Sequence, residues 1–323
     1  MEAVVFSFVV LFVCLFLSVP ISACVGLAAL AVWFYEPTIA TSPSYVFQSL
    51  FTSLDAYTLL AVPLFILSGQ IMARGGMATR LFNFFTYFFG RYRGGLPCTV
   101  IVTCLFYGAL SGAGAATVAA VGAMTIPVMV HLGYDKVYVT ALVAVAGGLG
   151  VIIPPSIPFV MYGVVTGASI GDLFIAGIIP GIIIAICLMG YALIYSRRHG
   201  EDRVKIDAVV GELRGKGLWQ VFKESFLALL CPVIILGGIY GGIVTPTEAA
   251  GVSVFYGALV SLFVYKTIPF KNVPRVLYAS LHSVGPQIYI IGCCTAFARA
   301  MTLIHATASL TEWMTDTFVT RVA

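Results

Sequence analysis

Charge is what this sequence has least of: Asp, Glu, Lys and Arg make up 9% of 323 residues, against about 25% in a typical soluble domain. Histidine occurs four times. The eight cysteines, at 14, 24, 98, 104, 187, 231, 293 and 294, form no CxxC or Cys/His grouping. That excludes a metal or redox site read from spacing, and leaves them as small helix- or lipid-facing residues. His131, His282 and His305 have no metal-ligand spacing. No Walker signature is present, which argues against ATP coupling within these residues. No intramembrane His/Glu/Asp cluster suggests an enzyme, and no nucleic-acid partner is expected. Residues 3–17 are apolar but lack a basic n-region and an A-x-A site, so they do not read as a cleavable signal. Short alternating segments of the β-barrel kind are missing as well.

What the sequence does have is apolar length. Hydrophobic residues fill 60% of positions, in runs at about 3–17, 21–35, 57–73, 96–110, 117–131, 137–164, 172–195, 226–243, 249–265 and 284–303. This predicts an all-α polytopic membrane protein embedded in a lipid bilayer. Between the runs, 44–55, 76–90, 269–282 and 305–318 mix aromatics with isolated charges, as interfacial helices do. Ordinary loops with some helicity would look similar. One long polar segment, 197–224, carries seven of the seventeen Lys and Arg, which places it in the cytoplasm.

That segment divides two parts with the same order of elements. SVPISACVG at 18–26 and VTPTEAAGV at 244–252 each put a proline and a polar residue before a small-residue helix. The reading is a first repeat over 1–196, a cytoplasmic basic loop over 197–224 and an incomplete second repeat over 225–323. With the N-terminus outside, the two repeats are inverted, a recurring construction of secondary transporters. Fifteen of the seventeen basic residues then face the cytoplasm, leaving Arg299 and Arg321 on the other side.

The segment 96–131 carries GALSGAGAAT at 108–117, ten small residues flanked by arms of about 15 residues. Each arm spans roughly 22 Å at about 1.5 Å per residue, short of a hydrocarbon core of roughly 30 Å. A re-entrant hairpin is the preferred reading, although two full spans would leave the basic residues on the same sides. Ser111 and Thr117 then offer hydroxyl oxygens beside tip carbonyls. The start of the second arm, Ala115–Thr117, presents N–H groups to an anion. A small-residue packing face between ordinary helices is the simpler alternative.

Residues 147–158 read GGLGVIIPPSIP inside an apolar run. Pro154 and Pro155 remove two N–H donors, and Pro155 moves Pro154 out of α geometry. A broken helix at membrane depth is the expectation, with carbonyls freed near Gly148–Val151 for a cation and Ser156 opening the second half-helix. A proline kink is the alternative. Glu248, after Pro246 and Thr247, reads as a helix-start carboxylate. Arg299 is an intramembrane charge that can also snorkel.

GALSGAGAATVAAVGAMTIPVM, GGLGVIIPPSIPFVMYGVVTGASIGDLFIAGIIPG and GGIVTPTEAAGVSV closely resemble the large membrane subunit of tripartite ATP-independent periplasmic (TRAP) transporters, the DctM family, along essentially the whole chain. The resemblance implies an elevator-type fold of inverted repeats and sodium-coupled uptake of an organic acid across the bacterial inner membrane. It also implies a small four-helix membrane subunit and a periplasmic substrate-binding protein as partners, with Na⁺ as coupling ion and no other cofactor. The family's sodium ligands match Ser111, Gly112, Gly148, Gly150, Val151 and Pro154 here. Ala113, Gly114, Thr117, Pro155 and Ser156 are assigned toward the substrate. Ala113 stands where many members carry a second serine. The interval from Pro20 to Arg197 is 177 residues, and the same interval from Pro246 runs about 100 residues past Ala323. The expectation is therefore a fragment or a truncated product lacking the second hairpin and broken helix. A non-transporting or channel-like membrane component is the competing reading.

Overall fold

The computed structural model describes residues 2–35, 37 and 42–318; Arg321, assigned above to the outer face, lies outside them. The described residues are helical throughout their regular structure and hold no strand. Six helical stretches among them are long and apolar enough to cross a membrane: Tyr57–Arg74, Gly114–His131, Lys136–Thr166, Ile170–His199, Leu218–Tyr240 and Pro246–Val264. A seventh is gained if Phe270–Leu303 and Ala306–Trp313, bent by 62°, count as one span. The all-α polytopic reading holds.

The chain divides into two compact units. The first comprises residues 1–57 and 282–323 and contains α1 (Glu2–Phe16), α2 (Ile21–Tyr35), α3 (Pro43–Leu54), most of α15 (Val273–Leu303) and α16 (Ala306–Phe318). Ser7 Oγ donates to the Ala28 carbonyl at 2.7 Å, fixing α1 on α2 through a buried polar contact. Ala29, Val46 and Ala296 form this unit's small core. Arg299 donates from Nη1 to Ser49 Oγ at 3.0 Å. The stretch 269–282, expected as a separate interfacial helix, instead runs largely into α15, which continues as one helix past Pro286 to Leu303.

The second unit, residues 58–281, holds α4 (Ala61–Arg74), α5 (Met77–Phe89), α6 (Gly95–Ser111), α7 (Gly114–His131), α8 (Lys136–Gly147), α9 (Leu149–Ile152), α10 (Ile157–Thr166), α11 (Ile170–His199), α12 (Arg203–Gly215), α13 (Leu218–Tyr240) and α14 (Pro246–Leu259). α5 is the amphipathic stretch expected at 76–90. It buries Leu81, Phe82 and Phe85, and Phe85 packs on Phe106 of α6 at 4.9 Å. Its one guanidinium, Arg80, lies 3.5 Å from the Tyr265 ring, a cation–π placement that shelters the charge at the edge of an apolar surface. Glu248 takes its expected place at a helix start: it closes a capping box with Thr245 at the beginning of α14.

The segment 197–224 is less of a loop than its polarity suggests. It contains the end of α11, all of α12 and the start of α13. Asp202 caps α12 by accepting the Lys205 N–H, and the helix is docked by buried Ile206 and Val210 together with Arg214, which donates to the Tyr87 carbonyl. Its pivot is Glu201, whose side chain is 3% exposed. Glu201 Oε1 accepts the Gly94 N–H at 2.8 Å and the Tyr134 hydroxyl at 2.7 Å. Arg203 lies 3.1 Å from Oε2. The carboxylate thus sits at the N-terminus of α6, where the helix dipole favours it, and ties the ends of the hairpin arms opposite the tip to the basic segment. Burial, then the Glu201 hydrogen bond, pushes the Tyr134 phenol well above its usual range, so it stays a donor. The turn before α6 needs its glycines: Gly94 has φ +73°, and a Cβ on Gly95 would lie 1.8 Å from the Phe89 carbonyl oxygen.

Replacing Glu201 by Ala leaves a buried N–H and a buried hydroxyl without their acceptor, a cost of about 1–3 kcal/mol for each unpaired group, while Arg203 keeps its bond to the Arg91 carbonyl. Thermal unfolding in detergent is expected to shift down by several degrees for E201A. Lys205→Ala, which removes only the exposed Lys205–Asp202 pair, is expected to leave the transition in place.

Candidate functional site

The hairpin is built from α6 and α7 with a two-residue tip, Gly112–Ala113. Its arms have 17 and 18 residues, longer than the 15 read from hydropathy, because Gly95 and Ser111 join the first helix and Gly114–Ala116 join the second. At about 1.5 Å per residue they reach roughly 26 and 27 Å. By length and composition α7 can cross a membrane, whereas α6 falls just short. The tip reverses through Gly112 at φ +65° and extended Ala113.

The expected helix break is present. α8 ends at Gly147, α9 is a single turn, and α10 begins at Ile157. Pro154 and Pro155 have no N–H, so the carbonyls of Gly150 and Val151 lose their helical donors. Val151's oxygen takes the Ser156 hydroxyl instead. The carbonyls of Gly148 and Leu149 remain occupied, accepting from Val151 N–H at 3.1 Å and Ile153 N–H at 2.9 Å. Among the described residues no donor reaches the Gly150 carbonyl.

Tip and break meet. The Ile157 N–H, at the start of α10, donates to the Gly112 carbonyl at 3.1 Å. A Cβ on Gly112 would fall 2.8 Å from the Pro155 oxygen, and one on Gly108 2.5 Å from the Gly150 Cα. Gly150 is equally constrained, since its Cβ would lie 2.3 Å from Thr117 Oγ1 and 3.3 Å from the Ala113 oxygen. Small residues thus let two irregular backbones approach closely enough to satisfy one another, which membrane depth requires. Around this contact three oxygens form a triangle. Ser111 Oγ is 3.1 Å from Thr117 Oγ1 and 3.4 Å from the Ala113 oxygen, and Thr117 Oγ1 is 2.9 Å from that same carbonyl.

Ser111, Gly112, Gly150 and Pro154 are buried at or beside this contact, and Val151 is half-buried. Gly148 is exposed, and a Cβ there would touch only its own helix at the Val145 oxygen. Of the residues assigned toward substrate, Ala113 and Gly114 are half-buried, whereas Thr117, Pro155 and Ser156 are fully enclosed. Thr117 and Ser156 spend their hydroxyls on local carbonyls. No side chain of the triangle or the break is charged. A neutral all-oxygen donor set suits a hard monovalent cation, whereas divalent cations generally take carboxylates. Among the described residues no group of three or more His, Cys, Asp or Glu side chains comes together.

The sequence reading missed α4's part. Gly69 faces Ser111, where a Cβ would lie 3.0 Å from the serine Cβ, and its carbonyl accepts the buried Tyr107 hydroxyl at 3.0 Å. The signal was available: Ser68, Gly69 and Gln70 are a polar-and-small interruption of an apolar run. Gly108→Ala pushes on the Gly150 backbone and Gly150→Ala on the Thr117 side chain, and overpacking of this kind costs about 1–3 kcal/mol. Both are expected to lower the thermal midpoint, while Gly190→Ala, with nothing within 4 Å, is expected to leave it unchanged or slightly raised.

Residues 8–322 match the DctM component of tripartite ATP-independent periplasmic transporters. The chain is 39% identical to the isethionate TRAP transporter permease protein DctMQ of Oleidesulfovibrio alaskensis over 99% of its own length and 49% of that protein's. It is 35% identical to the C4-dicarboxylate TRAP transporter large permease protein DctM of Rhodobacter capsulatus, covering 92% of the chain and 69% of the relative. With the protein of that name from Pseudomonas aeruginosa it shares 41% identity, over 83% of the chain and 61% of the relative. The chain thus spans about half to two thirds of the length of these relatives. All three are permease proteins by name, not enzymes. With a family match over nearly its full length, the chain belongs to the DctM component of the tripartite ATP-independent periplasmic transporters.

Proposed function

We propose that this chain is part of the large membrane subunit of a sodium-coupled secondary transporter. In this reading it imports an organic acid, a carboxylate, across the bacterial inner membrane. A periplasmic binding protein delivers the substrate, and a small four-helix membrane subunit completes the membrane part. Two of the three relatives above carry names for C4-dicarboxylates, which supports a small organic anion as cargo.

The observation that carries the reading is the neutral oxygen triangle of Ser111, Ala113 and Thr117, held against the broken helix by the Gly112–Ile157 hydrogen bond. Na⁺ bound there would supply a positive charge that the side chains lack. Ser111 Oγ, Thr117 Oγ1 and the Ala113 and Gly150 carbonyls are the atoms that would hold it. Gly112 and Pro154 set the backbone course around them, and Val151 positions Ser156 through its carbonyl. The N–H groups of Gly114, Ala115 and Ala116 open α7 beside the tip and have no side-chain cap. They would face the substrate carboxylate, where the helix terminus and the cation act on the same negative charge. Hairpin and broken helix share one hydrogen bond and several backbone contacts, so in an elevator movement they would travel together. The inverted-repeat boundaries, 1–196 and 225–323, belong to the same proposal.

The test is uptake into proteoliposomes containing the complete transporter, its small subunit and its binding protein. A sodium gradient is expected to drive uptake and replacement by K⁺ to abolish it. Ser111→Ala is expected to raise the Na⁺ concentration for half-maximal uptake at least fivefold, corresponding to roughly 1 kcal/mol for one lost oxygen contact. Uptake indifferent to Na⁺ would refute the coupling. A Ser111→Ala protein with unchanged Na⁺ dependence would refute the site.

A further inference from the structure

A groove with a volume of about 440 Å³ runs between α8 and α11, away from the hairpin tip. Its deeper lining is aliphatic, from Ala141, Leu142, Val145 and Leu188, and its other end is aromatic, with Tyr191 and Tyr195. The order follows from helix geometry. Leu188, Tyr191, Tyr195 and Arg198 recur at intervals of three and four along α11 and so form one stripe, apolar inside the span and cationic at its cytoplasmic end. On α8, Ala141 and Val145 are one turn apart on the facing side.

The aromatic end is rigid. Tyr138 stacks on Tyr195 with ring centroids 3.6 Å apart and planes 4° apart, and Tyr195 stacks on His199 at 4.1 Å. Tyrosines at this depth mark the headgroup level of a bilayer. Just beyond them stand Lys136, Arg197 and Arg198, all exposed. The ion pairs among the described residues join Arg203 to Glu201 and Lys205 to Asp202, so none of these three cations has a carboxylate partner. Asp135 is the one acid on the rim, and it is engaged in capping α8 through the Tyr138 N–H at 2.9 Å.

We propose that this groove is a binding site for one anionic phospholipid. An acyl chain lies along Ala141, Val145 and Leu188, the glycerol region lies against Tyr191 and Tyr195, and the phosphate is held by Arg198 and Lys136. The occupant follows from the gradient along a single groove: aliphatic, then aromatic, then cationic with an excess of positive over negative groups. A free anion would have no use for the aliphatic half. A zwitterionic lipid would not need Arg198 and Lys136, both without a carboxylate partner, against one engaged carboxylate. Guanidinium binds phosphate through paired hydrogen bonds, and basic residues at a cytoplasmic interface attract anionic lipid.

Native mass spectrometry of the full chain tests the proposal, with phosphatidylglycerol and phosphatidylcholine of identical acyl chains added in turn. Phosphatidylglycerol adducts are expected to exceed phosphatidylcholine adducts at least fivefold. Arg198→Ala combined with Lys136→Ala is expected to erase that preference, and Ala141→Trp, which fills the aliphatic half, to reduce both adducts at least fivefold. Lys271→Ala, an exposed cation elsewhere, is expected to leave the preference intact. The R198A/K136A protein changes only exposed side chains, so it reports on binding even if the tryptophan variant misfolds. Equal retention of the two lipids would overturn the proposal, as would a preference that survives R198A/K136A or falls equally with K271A.

Discussion

Backbone polar groups have no partner in hydrocarbon, and this chain interrupts two apolar helical segments side by side. That constraint organises the second compact unit. The break at Pro154–Pro155 takes N–H donors away from Gly150 and Val151, and the tip at Gly112–Ala113 interrupts a second helix. Each interruption is costly alone. Brought together, they share the Gly112–Ile157 hydrogen bond, and Ser156 and Thr117 cover further carbonyls. The density of small residues follows from this. Gly108, Gly112 and Gly150 sit where a single added carbon would collide with the opposing backbone or with Thr117.

What remains after this mutual satisfaction is a set of oxygens with lone pairs to spare and no charge among them. The Gly150 carbonyl lost its donor to Pro154, and the Ser111 and Thr117 hydroxyls turn toward one carbonyl. A neutral, oxygen-lined, buried position of this kind is well suited to a monovalent cation and poorly suited to holding a divalent one. The rest of the unit keeps the two segments in register. Tyr107 bonds the α6 arm to the Gly69 carbonyl on α4, and Glu201 fixes the start of the same arm at Gly94. The arm is thus held at both ends by buried hydrogen bonds, one near the tip and one at its N-terminus.

Much of this was legible in the residues. Hydropathy located the helices, and ten small residues in an apolar run marked the tip. Glycines followed by two prolines marked the break, because the loss of an N–H is a property of proline itself. Pairing was not legible: no local pattern says that Gly108 meets Gly150 or that Gly69 meets Ser111, since these are contacts between distant segments. Arm lengths came out short because Gly and Ala at the helix ends carry little hydrophobic signal yet adopt helical backbone readily enough. The segment 197–224 looked like a loop because its charges outnumber its two buried anchors, Ile206 and Val210. Glu201 was hidden among other charges of that segment, and only its burial distinguishes it.

The central claim is that the hairpin tip and the broken helix form one cation-sensitive unit. Hydrogen–deuterium exchange of the complete transporter in nanodiscs, compared in Na⁺ and in K⁺, tests it most directly. The account predicts that peptides covering 108–117 and 148–157 gain protection together when Na⁺ replaces K⁺, with little change in 203–215. Protection of one segment without the other, or identical exchange in the two ions, would contradict it.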